Sequence, residues 1–239
     1  MVVDERGKFL TQRSIPRMAL IRVTLDASRL IVESQGMEEL SLPLRPAFGD
    51  AIRVNIWNDS FDAMDAGPEA AAWFTKMLSR SCRLVFMPDQ TERFVNPKYS
   101  LQKTEVSFAD AFPFMLMSQA SLTDLNARLV EPVPMNRFRP NLVLEGCRAY
   151  EEDTWTALRI GDVRFRVAKP CSRCTVPTVN QETGTRAAEP ILTLSSYRTI
   201  NGEVYFGQNL ILDKGGILAV GDEVHVIRGQ KVSPGSLKL

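Results

Sequence analysis

The sequence predicts a β-rich α+β fold, and three features lead there. Short runs of β-branched and aromatic residues with strand character recur along the whole 239-residue chain. Gly146, Gly161, Gly184, Gly215, Gly216 and Gly221 punctuate those runs in the second half. Only two stretches carry helix-start chemistry. Many short strands, glycine turns and few helices suggest a barrel or a sandwich.

In the first half, residues 18–25 and 29–33 read as strands joined through Asp26-Ala27-Ser28, a plausible hairpin turn. Residues 51–57 alternate with period two, as a half-buried strand does. The clearest helix follows. Pro68 suits a first helical position, Glu69 favours the helix dipole, and residues 70–78 continue it. Between Asp89 and Ser100 the chain turns polar and irregular, with Pro88 and Pro97 nearby. A boundary there divides the chain into residues 1–95 and 96–239.

The second half opens with a short apolar strand over residues 112–117. Ser121-Leu122-Thr123-Asp124 has the spacing of a helix start, with Asp in place of the usual Glu or Gln, and that helix should end before Pro132. Strands then dominate, over residues 141–144, 163–167, 209–212 and 224–227. No internal repeat or low-complexity tract interrupts them.

Composition excludes several functions. The chain is 44% hydrophobic and 24% charged, and 29 basic residues against 28 acidic ones give a formal charge of +1. Neither nucleic acid nor an anionic membrane is implied as a partner. No apolar run approaches bilayer-spanning length, and the first residues lack the basic-then-apolar order of a secretory signal. A cytoplasmic location is the expectation. Four cysteines (Cys82, Cys147, Cys171, Cys174) are too few for a disulfide scaffold. His225 is the sole histidine and lies in a strand-like run, so a His-rich metal site is excluded and a half-exposed strand residue is expected.

The strongest local signal is Pro170-Cys171-Ser172-Arg173-Cys174. As a structural zinc site it lacks a second ligand pair. As a thioredoxin-like pair it should open a helix, yet Thr175-Val176-Pro177-Thr178-Val179 follows. Two buried cysteines at a strand end are the plain alternative. The setting argues for more: Arg173 adjoins Cys174 and Lys169 is close in sequence, and nearby cations favour the metal-binding thiolate. Arg137 and Arg139 offer planar donors suited to phosphate, and Asn136, Asn141 and Ser172 offer neutral hydrogen bonds. A soft sulfur ligand among phosphate-type donors suggests a metal carried by an anionic organic cofactor.

Spaced blocks in fixed order then identify a family. Phe108-Ala109-Asp110-Ala111-Phe112-Pro113, Ser118 to Asn126, Arg137-Phe138-Arg139-Pro140-Asn141, Glu151 to Trp155, Ile160-Gly161-Asp162 and Pro170 to Cys174 resemble the MOSC domain. Thr178-Val179, Glu189 to Leu194, Tyr197-Arg198 and Phe206-Gly207-Gln208-Asn209 continue the order. The resemblance covers nearly the whole chain and is nearest to the YcbX-like group, related to the mitochondrial amidoxime-reducing component. It implies a MOSC-type β-barrel preceded by a smaller β-rich N-terminal domain. It also implies a molybdenum cofactor, with molybdopterin holding the metal and oxo transfer reducing N-hydroxylated substrates.

By motif position the resemblance makes Cys174 the catalytic metal ligand. Arg139, Ser172, Arg173, Asp110, Asn141 and Asn209 become cofactor-binding residues, while Cys171 and Cys147 match positions that do not ligate the metal. Ala111 and Phe112 stand where the family carries hydroxyl residues. Electrons are expected from a separate reductase or ferredoxin-type protein. The alternative is a cofactor or sulfur carrier with a persulfide on Cys174, since MOSC domains also occur fused to pyridoxal-phosphate-dependent cofactor sulfurases. The family also begins with a Tyr-Pro-x-Lys-Ser segment, whereas this chain opens at Met1-Val2-Val3-Asp4. The expectation is that the functional form starts upstream of Met1.

Overall fold

The computed structural model describes residues 1–45, 49–100 and 103–228. Two compact units emerge. Unit 1 comprises Met1–Arg93 together with Thr178–Ala187, and unit 2 comprises Phe94–Pro177 and the chain from Ala188 onward. No single cut in the sequence yields this partition, because Thr178–Ala187 belongs to unit 1 although it lies deep in the second half.

Unit 1 contains β1 (Val2–Val3), β2 (Arg22–Leu25), β3 (Arg29–Glu33), β4 (Leu40–Pro43), β5 (Ala51–Ile56), β6 (Asp59–Asp65), α1 (Pro68–Leu78) and β7 (Arg83–Phe86). They form a four-stranded sheet of order β1-β7-β6-β5 and a three-stranded sheet of order β2-β3-β4. α1 begins where the sequence places it, with Gly67 as N-cap and Pro68 just inside. It buries Ala70, Trp73, Phe74, Met77 and Leu78, one face of a 3.6-residue repeat. That face packs on Val32, Leu40 and Leu42 of the small sheet. The Trp73 indole N–H, which burial would otherwise orphan, donates to the Glu38 carbonyl at 2.6 Å. The strand expected over residues 18–25 starts only at Arg22. Pro16 opens a 3-10 helix over Pro16–Leu20, because its fixed φ suits a first helical position and its missing N–H costs nothing there.

Unit 2 contains β8 (Phe114–Ser118), α2 (Gln119–Asn126), β9 (Leu142–Leu144), β10 (Trp155–Ile160), β11 (Val163–Ser172), α3 (Ile191–Tyr197), β12 (Thr199–Ile200), β13 (Glu203–Lys214) and β14 (Val224–Arg228). The sheet runs β14-β10-β11-β13-β8-β9, with β12 on β13, and every pairing is antiparallel except β8 with β9. The β-rich architecture with few short helices is as the sequence predicts.

β8 shows why its sequence is apolar without alternation. Leu116 faces a core with Trp155, Leu158, Phe165 and Leu210, while its neighbour Met117 faces one with Leu125, Phe138, Leu194 and Phe206. Both are 0% exposed, so the strand is covered on both faces. Gly207, across the sheet in β13, has φ +81°, and a Cβ there would meet the Leu116 carbonyl oxygen at 2.7 Å. Only glycine fits.

Two further expectations need correction. The second helix begins at Gln119, capped by Ser118, whose hydroxyl accepts the Ser121 N–H at 3.1 Å. The Ser121 hydroxyl instead donates to the buried Glu152 carboxylate at 2.6 Å. The strand expected to end at Val167 continues to Ser172, and its ladder tolerates Pro170 because register shifts flank it. His225 is a half-exposed residue of β14, 3.6 Å from a Glu223 carboxylate oxygen.

Candidate functional site

Met115 of β8 meets three of the residues singled out by sequence: Asn141, Asn209 and Arg173. Asn141 closes on its backbone in both directions: the Asn141 N–H donates to the Met115 carbonyl and the Met115 N–H donates to Asn141 Oδ1, each at 2.9 Å. The Asn141 amide NH2 is left without a partner among the described residues. Asn209 is Met115's register partner in β13, and its Nδ2 reaches the Pro170 carbonyl at 3.5 Å.

The turn between Met135 and Asn141 presents two arginines in opposite ways. Residues Met135–Arg137 form a 3-10 turn, Phe138 caps it, and Arg139 ends it in the left-handed region at φ 55°. Pro140 prevents continuation. Arg137 is buried; its Nε donates to the Pro177 carbonyl at 2.7 Å and its Nη2 to the Glu189 carbonyl at 3.3 Å. Burial lowers its pKa from the ordinary arginine value, and no carboxylate pairs with it among the described residues. Its Nε and Nη2 are therefore engaged by the backbone, not held out for phosphate as the sequence suggests. Arg139, two residues on, is exposed and makes no ion pair among the described residues.

At the end of β11, Arg173 Nη2 donates to the Phe138 carbonyl at 2.9 Å and its guanidinium stacks 5.4 Å from the Phe138 ring centroid. Nη1 lies 3.0 Å from Met115 Sδ and 3.2 Å from Cys171 Sγ. Nε is buried with no hydrogen-bond partner among the described residues. A buried guanidinium N–H without an acceptor is costly, and an anionic ligand is the kind of group that would satisfy it.

Sequence adjacency suggested that Arg173 serves Cys174. The sulfur at its guanidinium is instead Cys171, because residues 171 and 173 share one face of an extended chain and residue 174 takes the other. Among the described residues the half-buried Cys174 Sγ accepts only the Val176 N–H, at 3.5 Å. Lys169 is also turned elsewhere, its ammonium 5.4 Å from the Tyr99 ring and 5.8 Å from that of Phe112. Ser172 is exposed opposite Tyr205, and Asp110 is exposed in the bend that leads into β8. Sequence reasoning missed Met115 and Phe138. A thioether and a ring inside apolar runs read as core, and nothing in their spacing marks a contact with a distant arginine.

Among the described residues no cluster of three or more His, Cys, Asp or Glu could cage a metal ion. None of their helices is long and apolar enough to cross a membrane.

Comparison with known proteins gives two domain matches. Residues 103–225 match the MOSC domain, and residues 1–81 match the MOSC N-terminal beta barrel domain. The chain is 39% identical to mitochondrial amidoxime reducing component 2 of Rattus norvegicus over 241 residues, covering 94% of this chain and 71% of that one. It is 35% identical to mitochondrial amidoxime-reducing component 1 of Homo sapiens, covering 95% and 72%. Identity to component 2 of Homo sapiens is 36%, covering 94% and 71%.

Proposed function

Because this chain belongs to the MOSC-domain family, with the amidoxime-reducing components among its relatives, we propose that it binds a molybdenum cofactor and reduces N-hydroxylated compounds with it. One observation carries the reading: Arg173, the residue before the half-buried Cys174, keeps a buried Nε without a hydrogen-bond partner and makes no ion pair among the described residues. The donor set suits a soft metal on an anionic organic carrier and does not suit an all-protein cage.

In this reading Cys174 Sγ is the protein's ligand to the metal. Arg173 orients the cofactor through its free Nε, and Arg139 meets the phosphate from the exposed side. Ser172, Asn209, Asp110 and the free NH2 of Asn141 supply neutral or acceptor contacts. Phe138 and Met115 hold Arg173 rigid through the carbonyl bond, ring stack and thioether contact. The cofactor, when bound, supplies two-electron oxo-transfer chemistry. The net reaction takes an N–OH compound, two electrons and two protons to the N–H compound and water. The electrons come from a separate donor protein.

The test compares Cys174→Ser with Cys171→Ser, both expressed in a molybdenum-replete host. Molybdenum content, pterin fluorescence and amidoxime reduction with an artificial electron donor are measured. Cys174→Ser should lose turnover, and Cys171→Ser should retain much of it. Equal loss in two folded variants would overturn the assignment of Cys174.

A further inference from the structure

The near-neutral formal charge of the chain hides a local excess of positive charge on the sheet of unit 2. His225 of β14 lies opposite Arg159 of β10, Arg159 opposite Arg164 of β11, and Arg164 opposite Lys214 of β13. Residues directly opposite in antiparallel strands project from one face, so register lines up four basic side chains across four strands. That face is the solvent side, because the alternate positions Leu158, Ile160, Val163 and Phe165 are buried. His225, Arg164 and Lys214 are exposed, and Arg159 is half-buried. With strands about 4.8 Å apart, the row is about 14 Å long.

Like charges directly opposite destabilise a sheet, and here three permanent cations follow one another. Arg159 donates to the Gly161 carbonyl at 2.7 Å, but neither it nor Arg164 nor Lys214 makes an ion pair among the described residues. The adjoining row is built differently: Arg166, two residues along β11, pairs with Asp213 at 2.9 Å. The sheet thus neutralises one arginine and leaves the row beside it bare. Ile227 lies on the same face, two residues from His225 and opposite the small Ala157, and is 57% exposed.

We propose that this face docks an acidic protein segment, whose carboxylates meet Arg159, Arg164 and Lys214 and whose apolar side chain packs on Ile227. Guanidinium forks match carboxylates, and an apolar contact beside a charged row has the anatomy of a protein interface. Exposed carboxylates also border the row: Asp162 in the β10–β11 turn, Asp213 beside Lys214, and Glu223 just before β14. They would repel a continuous polyanion, whether a nucleic-acid backbone or an anionic bilayer. A protein with discrete charges can set its carboxylates between them.

The experiment titrates the full chain into a fluorescently labelled peptide, Glu-Glu-Glu-Leu-Glu-Glu, at low salt and reads anisotropy. Arg164→Gln should weaken binding roughly threefold, and Arg164→Gln/Lys214→Gln roughly tenfold. Ile227→Ser should remove the advantage of this peptide over hexaglutamate. Arg139→Ala, which removes an exposed cation elsewhere in unit 2, should leave the affinity unchanged. Arg164→Glu sets opposite charges on both sides of position 164, so it should melt roughly 2–4 °C higher while losing the peptide. Absence of binding to the wild-type chain overturns the proposal, as does an equal loss in Arg139→Ala. Tighter binding of phosphatidylserine vesicles or duplex DNA than of the peptide, lost in Arg164→Gln, overturns it in favour of a polyanion. A lower melting temperature for both Arg164→Glu and Arg164→Gln overturns it too, because the row would then serve the fold.

Discussion

The turn that ends at Asn141 and the run that ends at Cys174 solve one problem in different ways. Each must fix a backbone and also present a cation. The turn divides the work between two side chains: Arg137 is buried against carbonyls of Pro177 and Glu189, while Arg139 is exposed without an ion pair among the described residues. The run combines both tasks in Arg173, which fastens itself to the Phe138 carbonyl and keeps a buried Nε without a partner among the described residues. Residue type alone therefore does not reveal role. Local backbone geometry decides which arginine faces inward, and a partially satisfied arginine can serve structure and ligand together.

Three substitutions separate these roles. Arg137→Ala should have the largest effect on stability. It strips two carbonyls of their donor, and unsatisfied buried acceptors cost about 1–3 kcal/mol each, so a loss of about 2–4 kcal/mol is expected in urea denaturation. Pterin bound per folded molecule should change little. A variant as stable as wild type would show that water replaces the guanidinium, and the division of labour in the turn would fail.

Arg173→Ala should be intermediate and mixed. The lost bond to Phe138 and the lost ring stack should cost about 1–2 kcal/mol of stability. The lost charge-assisted donor should weaken cofactor retention roughly ten- to a hundredfold. Arg173→Lys should not restore retention, because an ammonium cannot reproduce the planar fork that touches Phe138, Met115 and Cys171 at once. Full recovery by lysine would show that only charge matters.

The contrast also explains what the sequence could disclose. Helix α1 was legible because its start chemistry, spacing and apolar face all agree over one continuous stretch. The family resemblance was legible because many blocks stand in order, and it brought Arg139, Asn141, Arg173, Cys174 and Asn209 forward together. The role of Arg137 was not legible. Its acceptors lie 40 and 52 positions away in the chain, and no local pattern encodes that distance. The assignment of Thr178–Ala187 to unit 1 was hidden for the same reason, since it depends on Gln12 and Arg13 near the other end. The actual start of α2 was missed because both Ser118 and Ser121 could cap. The buried carboxylate of Glu152, which is 1% exposed, draws the Ser121 hydroxyl to itself.

The smallest stability effect, and the sharpest separation of roles, belongs to Arg139→Gly. Arg139 holds φ at 55°, a conformation that disfavours a side chain by about 1–2 kcal/mol and that glycine adopts freely. Glycine also enlarges the entropy of the unfolded chain by about 0.5–1 kcal/mol, which offsets most of that relief. The net change should lie between neutral and about 1 kcal/mol of added stability. No described ion pair is lost, because Arg139 makes none. Cofactor retention should nevertheless fall roughly ten- to a hundredfold, the loss of one charge-assisted donor to phosphate. Arg139→Ala should lose retention equally, while keeping the strained backbone and so the ordinary stability. Parallel urea titrations and pterin measurements at limiting cofactor check both. A glycine variant that is destabilised by more than about 1 kcal/mol would mean that the exposed side chain holds the turn together. Arg139 would then be a second Arg137, and the turn would have no residue reserved for the ligand.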